Sequence, residues 1–285
     1  MKILVIGKNG YVSKSFQCYM QRYPDILIEA ISVRDDSWKN ESFSKYDVVF
    51  NTIGLAHDDA RKGTVEQFMA LNRDLPKELA LKSKKDGVKT FIYMSSMIVY
   101  GDMSKLGDEE YITDKTLPNP SSIYGESKLA GEIELNKLRD ENFNVAIIRS
   151  PLIYSANAVD NFLNLKNYAK YGLIFPNISN KRSMIYSDNL CELVKLIAEN
   201  DGNGLYFPQQ ETYICTSKLV KDIANKISHP MLLTNVFNPI IFLFSKKFMF
   251  IRKVFGSLAY SRDISDCFNG AYRVVSYDES IERLL

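Results

Sequence analysis

The chain has 285 residues, of which 46% are hydrophobic, and its 36 basic and 34 acidic side chains nearly cancel. This length can form one large or two modest domains with a buried core, and the charge balance gives no reason to expect nucleic acid or another polyanion as a partner. The four cysteines lie far apart without metal-ligand spacing, so we expect reduced thiols and neither a disulfide framework nor a metal site.

The first half of the chain alternates between apolar strands and helical segments. Its first strand, Ile3 to Ile6, starts too soon after Met1 to follow the long apolar core of a signal peptide, which favours a cytoplasmic protein. Alternating strands and helices predict an α/β fold of the Rossmann type, a doubly wound parallel sheet. The other predicted strands are Ile26 to Val33, Asp47 to Asn51, Thr90 to Met94 and Asn144 to Arg149, and the predicted helices are Val12 to Arg22, Val65 to Lys84 and Ser127 to Asp140, the last starting near Ile123.

The composition changes after Pro151, where segments shorten and asparagine and tyrosine become frequent. We therefore predict a dinucleotide-binding domain at 1–150 and, at 151–285, a smaller and mainly substrate-binding region from which some segments return to the first domain. Within it, Pro239 to Phe255 is apolar and aromatic but carries four basic residues, too many charges in too short a stretch to span a bilayer. A helix packed on the core is the favoured interpretation, and docking on a membrane surface or a partner is the alternative.

A glycine turn, Gly7 to Ser13, follows the first strand and opens the first helix. Gly7 permits the tight turn, Gly10 lets the backbone approach a pyrophosphate, and the helix N-terminus supplies amide donors. Ser13 stands where a third glycine is more usual and is small enough for close packing. We predict that a nicotinamide dinucleotide binds here. The residues expected to contact it are Gly7, Asn9, Gly10, Tyr11 and Val12.

The adenosine end of the cofactor is predicted at the end of the second strand, where Arg34 is followed by Asp35 and Asp36. An acidic residue there would bind the ribose hydroxyls of NAD, whereas Arg34 could pair with the 2′-phosphate of NADP. We favour NADP(H) and keep NAD(H) as the alternative.

Another strand-end turn, Ile53-Gly54-Leu55, is small enough to line the cofactor. His57 follows this turn and is expected either near the cofactor or in a surface loop. It and His229 are the only histidines, and neither has metal-ligand spacing with acids or cysteines, so a zinc enzyme or a histidine-based hydrolase is not expected.

Tyr124 and Lys128 are four residues apart and therefore on one face of a helix. The ammonium can lower the pKa of the phenol and bind the nicotinamide ribose, so that Tyr124 becomes a proton donor or acceptor beside a sugar oxygen. Ser96 follows a strand at the edge where such sheets bind ligands, and could hydrogen-bond the same oxygen. Tyr111 and Lys115 share the spacing but lack an apolar helical face, so we discard them.

In this order and spacing, the glycine turn, Ser96, Tyr124 and Lys128 resemble the extended short-chain dehydrogenase/reductases, specifically their nucleotide-sugar epimerase, dehydratase and reductase group. The segment Met94 to Gly101 is similar to the serine-bearing strand end of that group. The segment Pro120 to Gly125 is similar to the approach to its catalytic helix. The resemblance extends over nearly the whole chain.

The same resemblance assigns residues after position 149. Arg149 to Tyr154, with Pro151, resembles the segment beneath the nicotinamide, although Ser155 replaces the common glycine. Asn161 matches a position that contacts the substrate in relatives, and Arg182 matches the arginine that clamps the nucleotide diphosphate.

The resemblance further implies a bacterial capsule or O-antigen enzyme that reduces a UDP-4-keto-6-deoxy-N-acetylhexosamine at C4. A UDP-sugar 4-epimerase with tightly bound NAD is the nearest alternative. A dehydratase is not favoured because Met97 and Ile98 follow Ser96 where such enzymes carry an acid/base pair. A nonenzymatic dinucleotide sensor is a remote alternative, and relatives often form homodimers through the helix bearing the tyrosine.

Overall fold

The computed structural model describes residues 1–55, 63–107, 109–158 and 160–284. Its main feature is a six-stranded parallel sheet with the order β10-β6-β4-β3-β1-β2, and three two-stranded parallel pairs lie outside it. The strands are β1 (Lys2–Ile6), β2 (Leu27–Ile31), β3 (Val48–Asn51), β4 (Thr90–Ser96), β5 (Tyr111–Ile112), β6 (Asn144–Ser150), β7 (Leu152–Tyr154), β8 (Ile174–Pro176), β9 (Met184–Tyr186), β10 (Gly204–Tyr206), β11 (Leu232–Thr234) and β12 (Ala259–Tyr260).

Helices connect these strands and cover both faces of the sheet. They are α1 (Tyr11–Met20), α2 (Val65–Met69), α3 (Leu75–Lys85), α4 (Ile123–Asn136), α5 (Asp160–Tyr171), α6 (Ser187–Glu199), α7 (Thr216–Lys226), α8 (Asn238–Ser245), α9 (Met249–Phe255), α10 (Arg262–Ser265) and α11 (Tyr277–Glu282). Short 3₁₀ turns lie at Asp36–Asn40, Met97–Tyr100 and Cys267–Gly270. None of the described helices is long and apolar enough to cross a membrane.

The first strand shows why the sheet is buried on both sides. Ile3 and Val5 belong to a core cluster with side chains of α1 and α6, whereas Leu4 and Ile6 belong to another with side chains of α3 and α4. A strand with both faces covered must be apolar at consecutive positions, as this one is. The structure thus confirms the predicted α/β doubly wound sheet.

Residues after position 151 form a further core cluster of their own, built from β7, α5, α7 and α11. They also supply the edge strand β10, which pairs with β6, and helix α6, which packs against α1. The division at residue 150 remains a prediction.

The glycine turn lies at the point where the order in which strands are added to the sheet reverses. The strands β2 and β3 follow β1 in sequence but pair on opposite sides of it. In doubly wound sheets the carboxyl edge at this switch point is a crevice that accommodates ligands. Gly7 lies directly after β1 at that edge.

The predicted helix Val65 to Lys84 is interrupted, because residues Ala70–Asp74 form a π-helical turn between α2 and α3. Pro76 has no backbone N–H to donate to the Asn72 carbonyl one turn earlier. That carbonyl accepts a hydrogen bond from the Tyr93 hydroxyl at 2.7 Å instead. It also lies against Gly131 of α4, where a Cβ atom would approach the carbonyl oxygen to 2.2 Å. The turn therefore requires a glycine in the facing helix.

Several other predicted ends were wrong by two to four residues, with β2 ending at Ile31 and α1 at Met20. Strand β4 continues through Ser96, since Ser95 and Ser96 pair with Arg149 and Ser150 of β6. Helix α4 ends at Asn136, four residues before the predicted end. The guanidinium of Arg139 donates to the Val145 carbonyl, which turns the chain toward β6 in place of a further helical turn.

The segment Pro239 to Phe255 is two helices and not the predicted single packed helix. Phe248 is extended between α8 and α9, and the Arg252 guanidinium donates to the Ser245 carbonyl at 2.9 Å, capping the end of α8. Ile241 and Ile251 contact the core cluster of the C-terminal region, but much of the segment is exposed.

Candidate active site

The glycine turn fits a dinucleotide pyrophosphate. Gly7 has φ +108°, and a Cβ atom there would lie 2.7 Å from the Thr52 hydroxyl, so the turn needs glycine. Gly10 precedes α1 with an ordinary φ of −67°, and its nearest atom to an added Cβ would be 3.6 Å away. Among the described residues, no atom lies close enough to collide with a Cβ atom at position 10. The open space in front of it and the amides of α1 suit a phosphate group.

The neighbours of these glycines differ in their surroundings. Ser13 is fully buried, as close packing at the third glycine position requires. Asn9 is exposed and Val12 is half-buried. The hydroxyl of Tyr11 lies 2.6 Å from that of Ser155, and burial raises the pKa of Tyr11 to about 12. Tyr11 thus joins the glycine turn to the segment after β7, at the serine that departs from the family pattern.

At the end of β2, the two charges predicted to meet the adenosine have different surroundings. The Asp35 carboxylate accepts a 3.0 Å hydrogen bond from the Ser37 amide and caps the 3₁₀ turn. Arg34 is exposed, and among the described residues its side chain has no ion pair. The cation is therefore the more available of the two groups.

Ser96 and Tyr124 come together at the carboxyl edge of β4. Ser122 caps α4 by accepting a hydrogen bond from the Gly125 amide at 3.2 Å, and this places Tyr124 in the first helical turn. Burial raises the pKa of Tyr124, and a hydrogen bond with Ser96 opposes that rise. The hydroxyl of Ser96 also accepts from the Ile98 amide at 3.3 Å. The Ser96 hydroxyl is thus held by a backbone amide, and Tyr124 lies in the first turn of a capped helix.

Lys128 lies one turn further along α4 and is buried. Its ammonium donates to the Met94 carbonyl at 2.8 Å and lies 4.8 Å from the Tyr93 ring centre. Burial lowers the pKa of Lys128 to about 7, and the charge of Glu132 opposes this shift. A Cβ atom on Gly54 would come within 2.5 Å of the ammonium. It would also approach the Asn72 amide oxygen to 2.8 Å, so glycine at position 54 lets the turn after β3 pass close to both side chains.

Asn72 is a site residue that sequence reasoning missed. Its fully buried side chain accepts from the Leu55 amide at 2.9 Å and donates to the Ser127 hydroxyl at 2.9 Å. It thereby fixes the turn Ile53-Gly54-Leu55 to the helix that carries Tyr124 and Lys128. The detectable signal was an asparagine four residues before Pro76 in an otherwise helical segment. His57, which follows the same turn, lies outside the described residues.

A buried ion pair beneath the site was also missed. Arg149 and Glu132 are 2.7 Å apart with side chains 8% and 2% exposed. Ser95 hydrogen-bonds Glu132, and Arg149 donates to the Tyr100 hydroxyl at 2.6 Å. Breaking such a pair leaves an uncompensated buried charge, so the network rigidly joins β4, α4 and β6. Pro151 is buried immediately after it.

The two residues expected to bind substrate are placed differently. Arg182 donates to the Gly256 carbonyl at 3.0 Å, and burial lowers its pKa to about 10, with the charge of Asp102 opposing. It remains a cation at neutral pH and has no ion pair within the described part of the chain. Asn161 is exposed in the first turn of α5, and no hydrogen bond between described residues joins it to Arg182.

The remaining candidates are structural. Tyr111 lies in β5 and accepts a hydrogen bond from Lys181 at 3.1 Å, so it is not on a helix face with Lys115. His229 lies 2.8 Å from the Gly172 carbonyl. In the ranges that the structure describes, no three His, Cys, Asp or Glu residues are grouped to hold a metal ion.

A glycine turn at the switch point, with serine, tyrosine and lysine converging at the neighbouring strand ends, is the arrangement of the extended short-chain dehydrogenase/reductases. Residues 3–207 match the NAD dependent epimerase/dehydratase family. The chain belongs to this family of enzymes, which use a nicotinamide dinucleotide and act on nucleotide sugars.

Three known proteins show the range of similarity. A UDP-glucose 4-epimerase of Vibrio cholerae is 27% identical over 276 residues, covering 94% of this chain and 80% of the relative. An N-acetyl-α-D-glucosaminyl-diphospho-ditrans,octacis-undecaprenol 4-epimerase of Escherichia coli O157:H7 is 24% identical over 71% of this chain and 64% of the relative. A dTDP-4-dehydrorhamnose reductase structure from Clostridium acetobutylicum superimposes with a TM-score of 0.74 at 16% identity, covering 99% of this chain and 97% of that one.

Gly10→Ala should leave the stability of the cofactor-free protein nearly unchanged, because alanine accepts φ −67° and meets no atom closer than 3.6 Å. It should raise the dissociation constant for the dinucleotide about tenfold, since the methyl group occupies the approach to the pyrophosphate. Thermal melting and NADPH fluorescence titration measure the two effects. Gly7→Ala, with its positive φ, should lower the melting temperature. Unchanged cofactor affinity in Gly10→Ala would contradict the assignment of the turn.

Lys128 should make stability depend on pH. Its pKa is lower in the folded protein than its ordinary value of 10.5, so above pH about 7 the unfolded chain binds more protons and stability rises with pH. The free energy of unfolding of wild type relative to Lys128→Met should increase by up to about 1.4 kcal/mol per pH unit in this range.

Chemical denaturation of cofactor-free protein across this pH range measures the difference. The variant Lys85→Met, altered at an exposed lysine of α3, should follow wild type throughout. A constant difference between wild type and Lys128→Met would show that Lys128 is not desolvated.

Proposed function

We propose that the protein transfers hydride between NADP(H) and C4 of a diphosphate-linked sugar, and that it reduces a UDP-4-keto-6-deoxy-N-acetylhexosamine for surface polysaccharide synthesis in the cytoplasm. The observation that carries the proposal is the hydrogen bond between Ser96 and Tyr124, on the helix whose next turn carries the buried ammonium of Lys128. Reduction of a ketone needs a hydride at carbon and a proton at oxygen. When bound, the cofactor would supply the hydride, and in this proposal the three side chains supply the proton.

Tyr124 is the proton donor in this scheme. Its phenol gives its proton to O4 as the carbonyl becomes an alkoxide, and Ser96 hydrogen-bonds the same oxygen. The phenolate that remains lies on the helix face of Lys128, whose positive charge stabilises it. Because the pKa of Lys128 is about 7, that ammonium is only partly protonated near neutral pH in the cofactor-free protein, and a neighbouring negative charge would favour its charged form.

The NADP(H) preference is supported by the end of β2. The carboxylate of Asp35 is engaged in capping a 3₁₀ turn, whereas Arg34 is exposed. A free guanidinium suits a 2′-phosphate better than a ribose hydroxyl. An exchangeable NADPH suits a reductase, because each turnover consumes one hydride.

The diphosphate is assigned to Arg182, with Asn161 on the same side of the substrate. The guanidinium keeps its charge without an ion pair among the described residues, and a diphosphate is an anion that it can bind through two parallel hydrogen bonds. The named substrates of the two curated relatives, one linked to UDP and one to undecaprenyl diphosphate, share this group.

A UDP-sugar 4-epimerase with retained NAD is the second candidate, favoured by the names of both curated relatives. It would use the same residues, with Tyr124 first accepting and then returning the proton of O4. The two reactions differ in whether the cofactor is consumed.

The assay is incubation with UDP-4-keto-6-deoxy-N-acetylhexosamine and either NADPH or NADH, with absorbance followed at the nicotinamide band. A reductase consumes reduced cofactor in proportion to sugar, with NADPH preferred to NADH. Interconversion of C4 epimers without added reductant would assign the epimerase. The absence of both reactions would overturn the proposal.

Tyr124→Phe should lower kcat about a hundredfold or more, because it removes the proton donor, and should leave NADPH affinity nearly unchanged. Tyr111→Phe is the matched control, since Tyr111 shares the spacing to a lysine but lies in β5, and its kcat should stay near that of wild type. Steady-state kinetics and cofactor titration give both quantities. Undiminished turnover in Tyr124→Phe would remove this residue from the mechanism.

A further inference from the structure

Helices α8 and α9 and the residues just before them present a large apolar surface. Its aromatic and aliphatic side chains are between 42% and 75% exposed. We call this surface the docking face, and its members are Val236, Phe237, Ile240, Phe242, Leu243, Phe244, Phe248, Met249 and Phe250. Scattered exposed apolar residues are ordinary, but a contiguous group of this size on a soluble domain marks an interaction surface.

The docking face is the outer side of helices whose inner side is already packed. Ile241, Ile251 and Val254 contact the core cluster of the C-terminal region, and Phe255 belongs to it. A surface helix normally presents polar residues on its outer side. Here Leu243 and Phe250 point outward with 72% and 75% exposure. Packing within this chain therefore does not explain why the outer side is apolar.

The charged residues in the segment that forms the docking face, Val236 to Phe250, are both lysines. Lys246 and Lys247 lie in the turn between α8 and α9 and are exposed. The sequence holds no aspartate or glutamate between Asp222 and Asp263. Exposed phenylalanine, leucine and isoleucine flanked by lysines are typical of segments that lie in the interface of a bilayer containing anionic lipids.

A second copy of the chain fits this surface less well. A two-fold symmetric contact would bring the lysines of both copies to one interface. With no acidic residue in the segment to neutralise them, they would repel each other. An anionic lipid surface supplies both the apolar medium and the opposite charge, so we propose that the docking face binds the surface of an anionic bilayer, with α8 and α9 lying in its headgroup region.

An ion pair and a hydrogen bond join α9 and the residue after it to the residues of the candidate substrate site. The guanidinium of Arg252 in α9 pairs with Asp102 at 2.9 Å, in the loop that follows the Ser96 strand end. Gly256, directly after α9, accepts the 3.0 Å hydrogen bond from Arg182. Membrane docking therefore brings the residue assigned to the diphosphate close to the lipid. This last consequence rests on the proposed function, whereas the docking itself does not.

Cosedimentation with lipid vesicles tests the proposal on the full chain without substrate. Wild type should bind vesicles of phosphatidylcholine mixed with phosphatidylglycerol and should bind pure phosphatidylcholine far more weakly. The double variants Leu243→Asn with Phe250→Asn, and Lys246→Gln with Lys247→Gln, should each reduce the partition coefficient about tenfold or more. The matched control, Leu27→Asn with Leu205→Asn, alters exposed leucines on the edge strands β2 and β10 and should bind like wild type.

Thermal melting and the cofactor titration show that each variant is folded, because none of these residues belongs to the cofactor or catalytic machinery. Wild type that stays in the supernatant with both vesicle types would overturn the proposal, as would equal binding by all variants. A wild-type dimer that Leu243→Asn with Phe250→Asn converts to monomer, without vesicle binding, would assign the face to a second copy and also overturn it. These results do not depend on turnover, so they are independent of whether the proposed reaction is found.

Discussion

The ammonium of Lys128 is the charge around which the candidate site is arranged. It is buried, and desolvation lowers its pKa to about 7. The Met94 carbonyl and the Tyr93 ring stabilise it, and Gly54, which has no Cβ atom, leaves room for it. Because a buried charge is costly unless it is satisfied, these two contacts from β4 favour the charged form that burial disfavours.

Further contacts join the elements that surround the lysine. Gly131 lets α4 approach the carbonyl of Asn72, which the proline-induced π turn has left free, and the Asn72 side chain then holds the turn that passes Lys128. One turn beyond Lys128 on α4, Glu132 forms a buried pair with Arg149 that joins the helix to β6. The contacts that hold the candidate site in place therefore also join α4 to the sheet.

The sequence predicted the positions of residues best where the pattern involves neighbours in the chain. The glycine turn and the spacing of Tyr124 and Lys128 are local patterns, and the structure places both at the expected edge of the sheet. Asn72 was missed because its partners come from separate elements and become neighbours only after folding. The segment Pro239 to Phe255 was predicted as one packed helix because an apolar pattern does not reveal which side is covered. The stop between α8 and α9 depends on the Arg252 side chain.

The central claim is that hydride transfer at C4 of the sugar takes place beside Tyr124 and Lys128. Its most direct test is to supply NADPH deuterated at the transferable position of the nicotinamide together with the 4-keto sugar, and to locate the label in the product by NMR. We expect one deuterium at C4 and none elsewhere, with transfer slowed about a hundredfold or more in Tyr124→Phe under the same conditions. Deuterium at another carbon, or label transfer that is unaffected in Tyr124→Phe, would contradict it.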